Sequence, residues 1–135
     1  MPPRLPKGSG LALVASVVAI LGLTLVPIDS ADEDLQLLPF SHIVDALTPP
    51  VGTELVEMVL NVLLFLPFGA ALSLRRISIG VTILVAAALS ATVELAQLLV
   101  ISGRTTSVDD VLLNTIGALL GHVTVSAWTA REDAG

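Results

Sequence analysis

Residues 90–121 read SATVELAQLLVISGRTTSVDDVLLNTIGALLG. Two apolar runs are joined by a short polar link, and both runs carry polar side chains at helical spacing. Ser90, Glu94 and Gln97 fall at i, i+4 and i+7, which is one face of a helix. Asp110, Asn114, Gly117 and Gly121 repeat that spacing in the second run, and Glu57 with Asn61 do so in a third apolar run upstream. An acid inside an apolar run has a different meaning in water and in lipid. At the centre of a bilayer, an exposed acid costs roughly 2.5–3.5 kcal/mol or more, so it turns inward and marks a functional site by default.

Composition decides the solvent. The 135 residues are 54% hydrophobic and 13% charged, and the mean hydropathy is +0.93. Soluble domains carry about 25% charged residues. The chain therefore reads as one membrane domain over residues 1–135. The net charge of −6 and the 3% aromatic content exclude nucleic-acid binding, because no basic patch meets phosphates and no platform stacks bases. With no cysteine, thiol chemistry, disulfides and cysteine metal sites are excluded. His42 and His122 are far apart, so no metal site is expected. There is no phosphate-cradling glycine loop, and no cofactor is expected.

A helix needs roughly 20 apolar residues to cross a bilayer. Four stretches qualify, at about 10–28, 55–74, 77–101 and 108–128, giving an all-α, integral membrane four-helix bundle. The first is expected to be a retained helix, since Thr24-Leu25-Val26-Pro27 makes a poor small-residue cleavage site. Of the six basic residues, Arg4, Lys7, Arg75, Arg76 and Arg131 fall on one side and Arg104 on the other. The positive-inside rule then predicts both termini inside, in a multi-pass protein of the cell membrane. Trp128 stands where an inner-interface anchor is expected. In the first outer loop, Phe40, Ile43, Val44 and Leu47 form one apolar stripe, which predicts a short interfacial helix between Pro39 and Pro49-Pro50.

With this topology, Asn61, Glu94 and Asn114 each lie about 9–10 Å below the outer ends of their helices. Three helices thus bring polar residues to one depth, beneath Arg104 in the loop above. The expected pocket comprises Asn61, Glu94, Gln97, Arg104, Asp110 and Asn114. Plainer roles compete for several residues. Ser107 and Asp110 resemble a capping box, and Asp109 favours the helix dipole. On this reading Asp109 turns toward the interface and Asp110 into the bundle. Asn61, Gln97 and Asn114 also suit interhelical hydrogen bonding, and Gly117/Gly121 suit close packing within the chain or in a homo-oligomer. Pro67 predicts a kink that frees the carbonyl of Leu63. His122 reads as a packing or hydrogen-bonding residue.

These motifs resemble the VanZ-like family of bacterial membrane proteins, associated with low-level teicoplanin resistance. The resemblance spans about Leu37 to Gly121. It rests on LLPFSHI (37–43), NVLLFLPFG (61–69), SATVELAQ (90–97) and RTTSVDDVLLNTIGALLG (104–121). It implies a small helical bundle of the cell envelope. The expected function is binding of a polar or lipid-linked envelope ligand in the outward pocket, with Arg104 meeting an anionic group. The alternative is an intramembrane hydrolase or transferase with Glu94 as general base, for which no activated nucleophile is evident. A proton-coupled carrier and a purely structural bundle complete the alternatives.

Overall fold

The computed structural model describes residues 8–24, 53–100, 107–132 and 134. Among them, four helices follow in order: α1 (Ser9–Thr24), α2 (Thr53–Leu74), α3 (Ile79–Val100) and α4 (Val108–Glu132). The helix expected over 37–47, together with Arg104, Arg4 and Lys7, lies outside the described residues.

Three of the helices, α2, α3 and α4, are long and apolar enough to cross a membrane. The described part of α1 has 16 residues, about 24 Å, which falls short of the length a span requires. The expected second span starts two residues earlier in the structure, and the fourth continues past Trp128 to Glu132. The third is shorter than expected because of how α2 ends. The Ile77 amide donates to the Leu72 carbonyl and the Arg76 amide to the Ser73 carbonyl, while Arg76 takes a left-handed φ of 59°. This is a Schellman closure, and Ile77 packs back on the core that includes Leu72. Ile77 therefore belongs to the turn. Ser78 then caps α3 through its Oγ, which accepts from the Val81 amide at 3.4 Å. Helix α2 runs continuously through Pro67.

The burial pattern inverts that of a soluble protein. Leu55, Val59, Leu63, Leu84, Leu95 and Leu99 are exposed, while Thr82, Ser90, Glu94, Gln97, Asp109, Asn114 and His122 are buried. Apolar surface outward and polar groups inward is the arrangement a lipid solvent favours, since an unsatisfied polar group in hydrocarbon is costly. Surface hydroxyls follow the same rule. Thr92, Thr115 and Thr124 each donate to the carbonyl four residues back on their own helix.

The most extensive packing is between α2 and α4, which run parallel. Their backbones meet at glycines. A Cβ on Gly69 would collide with the Ala118 carbonyl, one on Gly117 with the Val62 carbonyl, and one on Gly121 with the Leu66 carbonyl. The Gly117/Gly121 pair is thus used within the chain, against α2. On the other side of α4, α3 runs antiparallel. Phe65 and Phe68 meet edge to face in the core, with ring centroids 6.1 Å apart. Helix α1 packs mainly on α2, with Gly10 beside the Arg75 guanidinium at one end and Thr24 bonded to Gln97 at the other.

Gly117→Ala or Gly121→Ala is expected to destabilise the bundle by roughly 1–3 kcal/mol, because the new methyl meets backbone that cannot yield. Gly22→Ala is the control, since nothing lies within 4 Å of a Cβ there. Thermal unfolding in detergent should separate them. Equal midpoints for all three variants would contradict the close approach.

Candidate functional site

Two interhelical hydrogen bonds fix how α3 sits on α4. Thr82 Oγ1 and His122 Nδ1 are 2.9 Å apart, and Asn114 Nδ2 donates to Ser90 Oγ at 2.8 Å; both pairs are buried. Eight residues forward on α3 therefore match eight residues back on α4. Halfway between these rungs, the fully buried Ala86 and Ala118 share a level. One turn beyond Ser90 and Asn114, the same register sets Glu94 level with Asp110. Asp110 is tied to α2 as well, since Asn61 Nδ2 donates to its Oδ1 at 2.8 Å.

Three helices thus converge on one end of the bundle, as the sequence predicts, but on two levels. Asp110 and Glu94 share the level nearer the start of α4, and the Asn61 side chain reaches Asp110 there. Ser90 and Asn114 lie one turn deeper. The single depth expected for Asn61, Glu94 and Asn114 is corrected in one respect: the α3–α4 register sets Glu94 a turn nearer the start of α4 than Asn114, while the backbone contact of Val62 with Gly117 keeps Asn61 near the level of Asn114, its side chain reaching Asp110. Gln97 is brought to a different partner, as its Nε2 donates to the Thr24 carbonyl and ties α3 to α1. Of the expected pocket residues, Arg104 lies outside the described residues.

The paired acids need a second correction. Asp109, expected toward the interface, is fully buried, at 0% exposure, whereas Asp110 is half-buried. The reason is that α4 is covered on two adjacent faces. Gly117 and Gly121 meet the α2 backbone with Leu113 beside Val62 and Leu63 on that side, while Asn114 and His122 bond to α3. Spacing alone had suggested one inward face holding Asp110, Asn114, Gly117 and Gly121 together. The capping role is present: Ser107 Oγ accepts from the Asp109 amide at 3.1 Å. Glu94 is 7% exposed, and none of the three carboxylates is without a partner.

Two further pairs escaped the sequence reading. Thr82 is the partner of His122, whose hydrogen-bonding role was expected. Ser73 and Ser126 Oγ atoms are 2.9 Å apart and join α2 to α4 toward the opposite end. Gly69 and Ser73, four residues apart, carried the same small-residue signal as Gly117 and Gly121. Among the described residues, no group of three or more His, Asp or Glu side chains is placed to hold a metal ion.

The model of the VanZ/LLP1 family matches the chain over residues 11–129. The chain belongs to the VanZ/LLP1 family. The match takes in nearly all of α1 and of α4, beyond the stretch from Leu37 to Gly121 on which the resemblance rested. No curated protein and no solved structure matches the chain. Of the residues on which the resemblance rested, Asn61, Ser90, Gln97, Asp110 and Asn114 hydrogen-bond across helices.

Asn61 and Asp110 should be energetically coupled. A double-mutant cycle with Asn61→Ala and Asp110→Ala, read by thermal unfolding, is expected to give about 0.5–2 kcal/mol of interaction energy. Additive losses would contradict the hydrogen bond.

Proposed function

We propose that this VanZ/LLP1 membrane protein binds the polar part of a lipid or lipid-linked envelope precursor at the cluster formed by Asn61, Glu94, Asp110, Asn114 and Arg104. The observation that carries the reading is the buried Glu94 at the level of the Asn61–Asp110 bond, inside a bundle whose outer surface is apolar. A bundle needing only stability would be served by apolar packing, since interhelical hydrogen bonds in membranes contribute only about 0.6 kcal/mol on average. The cost of burying acids supports a site that uses them.

The cluster faces the outside in this proposal. Arg75 and Arg76 lie at the opposite end, and the positive-inside rule sets that end in the cytoplasm. An outward site reaches envelope lipids and their precursors, where a glycopeptide such as teicoplanin would also act. Lowered glycopeptide sensitivity is the phenotype we associate with an intact site.

The enzymatic alternative assigns Glu94 as general base. Ser90, one turn away, accepts a hydrogen bond from the Asn114 amide. An amide cannot take the proton of an attacking hydroxyl, so this contact does not activate Ser90 as a nucleophile. Binding is the better-supported reading.

The test compares wild type, Glu94→Gln and Glu94→Ala at matched membrane abundance. Lipids retained by the purified protein are identified by native mass spectrometry, and teicoplanin sensitivity is measured in the same cells. A retained envelope lipid that is weakened by Gln and lost with Ala supports the proposal. Identical lipid content and sensitivity in all three would overturn it.

A further inference from the structure

At the end of the bundle away from the polar cluster, two positive groups are set against each other. Helix α1 begins at Ser9 and has no acid in its first turn. The Ala12 amide donates to the Gly8 carbonyl, so the amides before it are open and the positive end of the helix dipole is unmet. Arg75, at the close of α2, brings its guanidinium to this turn. Its Nη1 lies 3.3 Å from where a Cβ of Gly10 would be, so glycine at that position makes room for it. Cβ atoms lean toward the start of their helix, which puts the contact on the side of the open amides. A cation beside a helix start is unfavourable, by the same charge rule that favours an anion there.

The chain does not supply the anion. Of its twelve acids, only Glu132 and Asp133 stand at this end. Glu132 closes α4, and α4 does not pack on α1. Among the described residues, Arg75 has no acidic partner. The stretch MPPRLPK (1–7) before Gly8 holds no acid and adds two basic residues. A second polar group waits at the same place. Ser9 is 4% exposed and lies with Ser16 and Ile20 on the buried stripe of α1, the helix that packs mainly on α2. Ser16 returns its hydroxyl to the Ala12 carbonyl. Ser9, the first residue of the helix, has no helical carbonyl four residues back, and its hydroxyl has no partner among the described residues. Depth identifies the missing anion. Ser73 and Ser126 bond across the parallel α2 and α4, so Arg75 is level with Trp128, which is 60% exposed. A tryptophan at the end of a membrane helix marks the headgroup region, and the anions concentrated there are lipid phosphates. Phosphate oxygens accept from a guanidinium fork and from open helix amides alike.

We infer that Arg75, the Ser9 hydroxyl and the first amides of α1 hold the phosphate of an anionic phospholipid in the leaflet at this end, the cytoplasmic one in the orientation proposed above. The phosphate lies between the guanidinium and the helix start and turns one repulsion into two attractions. It ties α1 to α2 at the end opposite the Gln97–Thr24 bond. The site is separate from the polar cluster and does not depend on the binding function proposed for it.

The experiment uses the full chain in nonionic detergent, with phosphatidylglycerol, phosphatidylcholine or inorganic phosphate added at equal concentration and constant ionic strength. Native mass spectrometry counts the retained lipid, and thermal unfolding reads its effect on the folded state. Phosphatidylglycerol is expected to be retained and to raise the wild-type midpoint by several degrees. Phosphatidylcholine, whose choline offsets its phosphate, should do less. Arg75→Gln should cut phosphatidylglycerol retention roughly tenfold or more, the loss of a charge-assisted pair, and abolish the rise. Arg76→Gln removes the same charge from an exposed neighbour at the turn. It should cost no more than roughly fivefold, the worth of one basic residue near an anionic surface. Arg75→Lys keeps the charge without the fork and should retain several-fold less lipid than wild type; retention equal to wild type there would overturn the site even if Arg75→Gln does not fold. Equal losses in Arg75→Gln and Arg76→Gln would reduce the effect to diffuse surface charge and overturn it. A midpoint lowered equally with and without phosphatidylglycerol in Arg75→Gln, with retention unchanged, would make Arg75 a packing residue and overturn it too. Equal protection by inorganic phosphate would overturn the lipid as the ligand.

Discussion

The backbone contact between α2 and α4 governs the rest of the bundle. Gly69, Gly117 and Gly121 each press against a carbonyl of the facing helix. Such contacts hold only in one register, because sliding either helix would bring a side chain into the space of a missing Cβ. Once that register is set, Asn61 reaches Asp110 toward one end and Ser73 reaches Ser126 toward the other. The far side of α4 is then presented to α3 with Asn114 and His122 ready for Ser90 and Thr82. The polar cluster is therefore a consequence of small-residue packing, which in a membrane does the work that apolar burial does in water.

The lipid environment sorts the hydroxyls and amides into two groups. Threonines on the outer surface return to their own helix carbonyls. Among the described residues, the bonds that join α2 or α3 to α4 are Asn61–Asp110, Ser73–Ser126, Thr82–His122 and Asn114–Ser90, on the helix covered on two faces. Gln97 instead reaches α1 through the Thr24 carbonyl. That bond holds the end of α1 near the cluster, while the Arg75 side chain lies against its beginning.

Much of this was legible in the sequence because lipid makes the rules strict. Long apolar runs gave the membrane helices, and helical spacing singled out Ser90, Glu94, Asp110 and Asn114. What spacing could not give was the number of neighbours each helix has. A residue's angular position on α4 is readable, but whether one face or two are covered depends on where α2 and α3 lie. This is why spacing points Asp109 to the interface although it is buried, and why it sets Gly117 and Asn114 on one face although they serve different helices. Helix ends were blurred for a local reason: a Schellman closure at Arg76 drew Ile77 out of the apolar run of α3. The VanZ/LLP1 motifs mark the residues that the packing brings together, which is a statement about the site and leaves its chemistry to be argued from the groups themselves.

The central claim is that the α3–α4 register joins Ser90 to Asn114 and so assembles the two polar levels. The chain has no native cysteine, so thiol cross-linking in membranes reads that register directly. Ser90→Cys paired with Asn114→Cys should be joined efficiently by a short bifunctional thiol reagent. Ser90→Cys paired with His122→Cys, two turns away along α4, should not. Efficient linking of 90 to 122 without 90 to 114 would contradict the register and the site built on it.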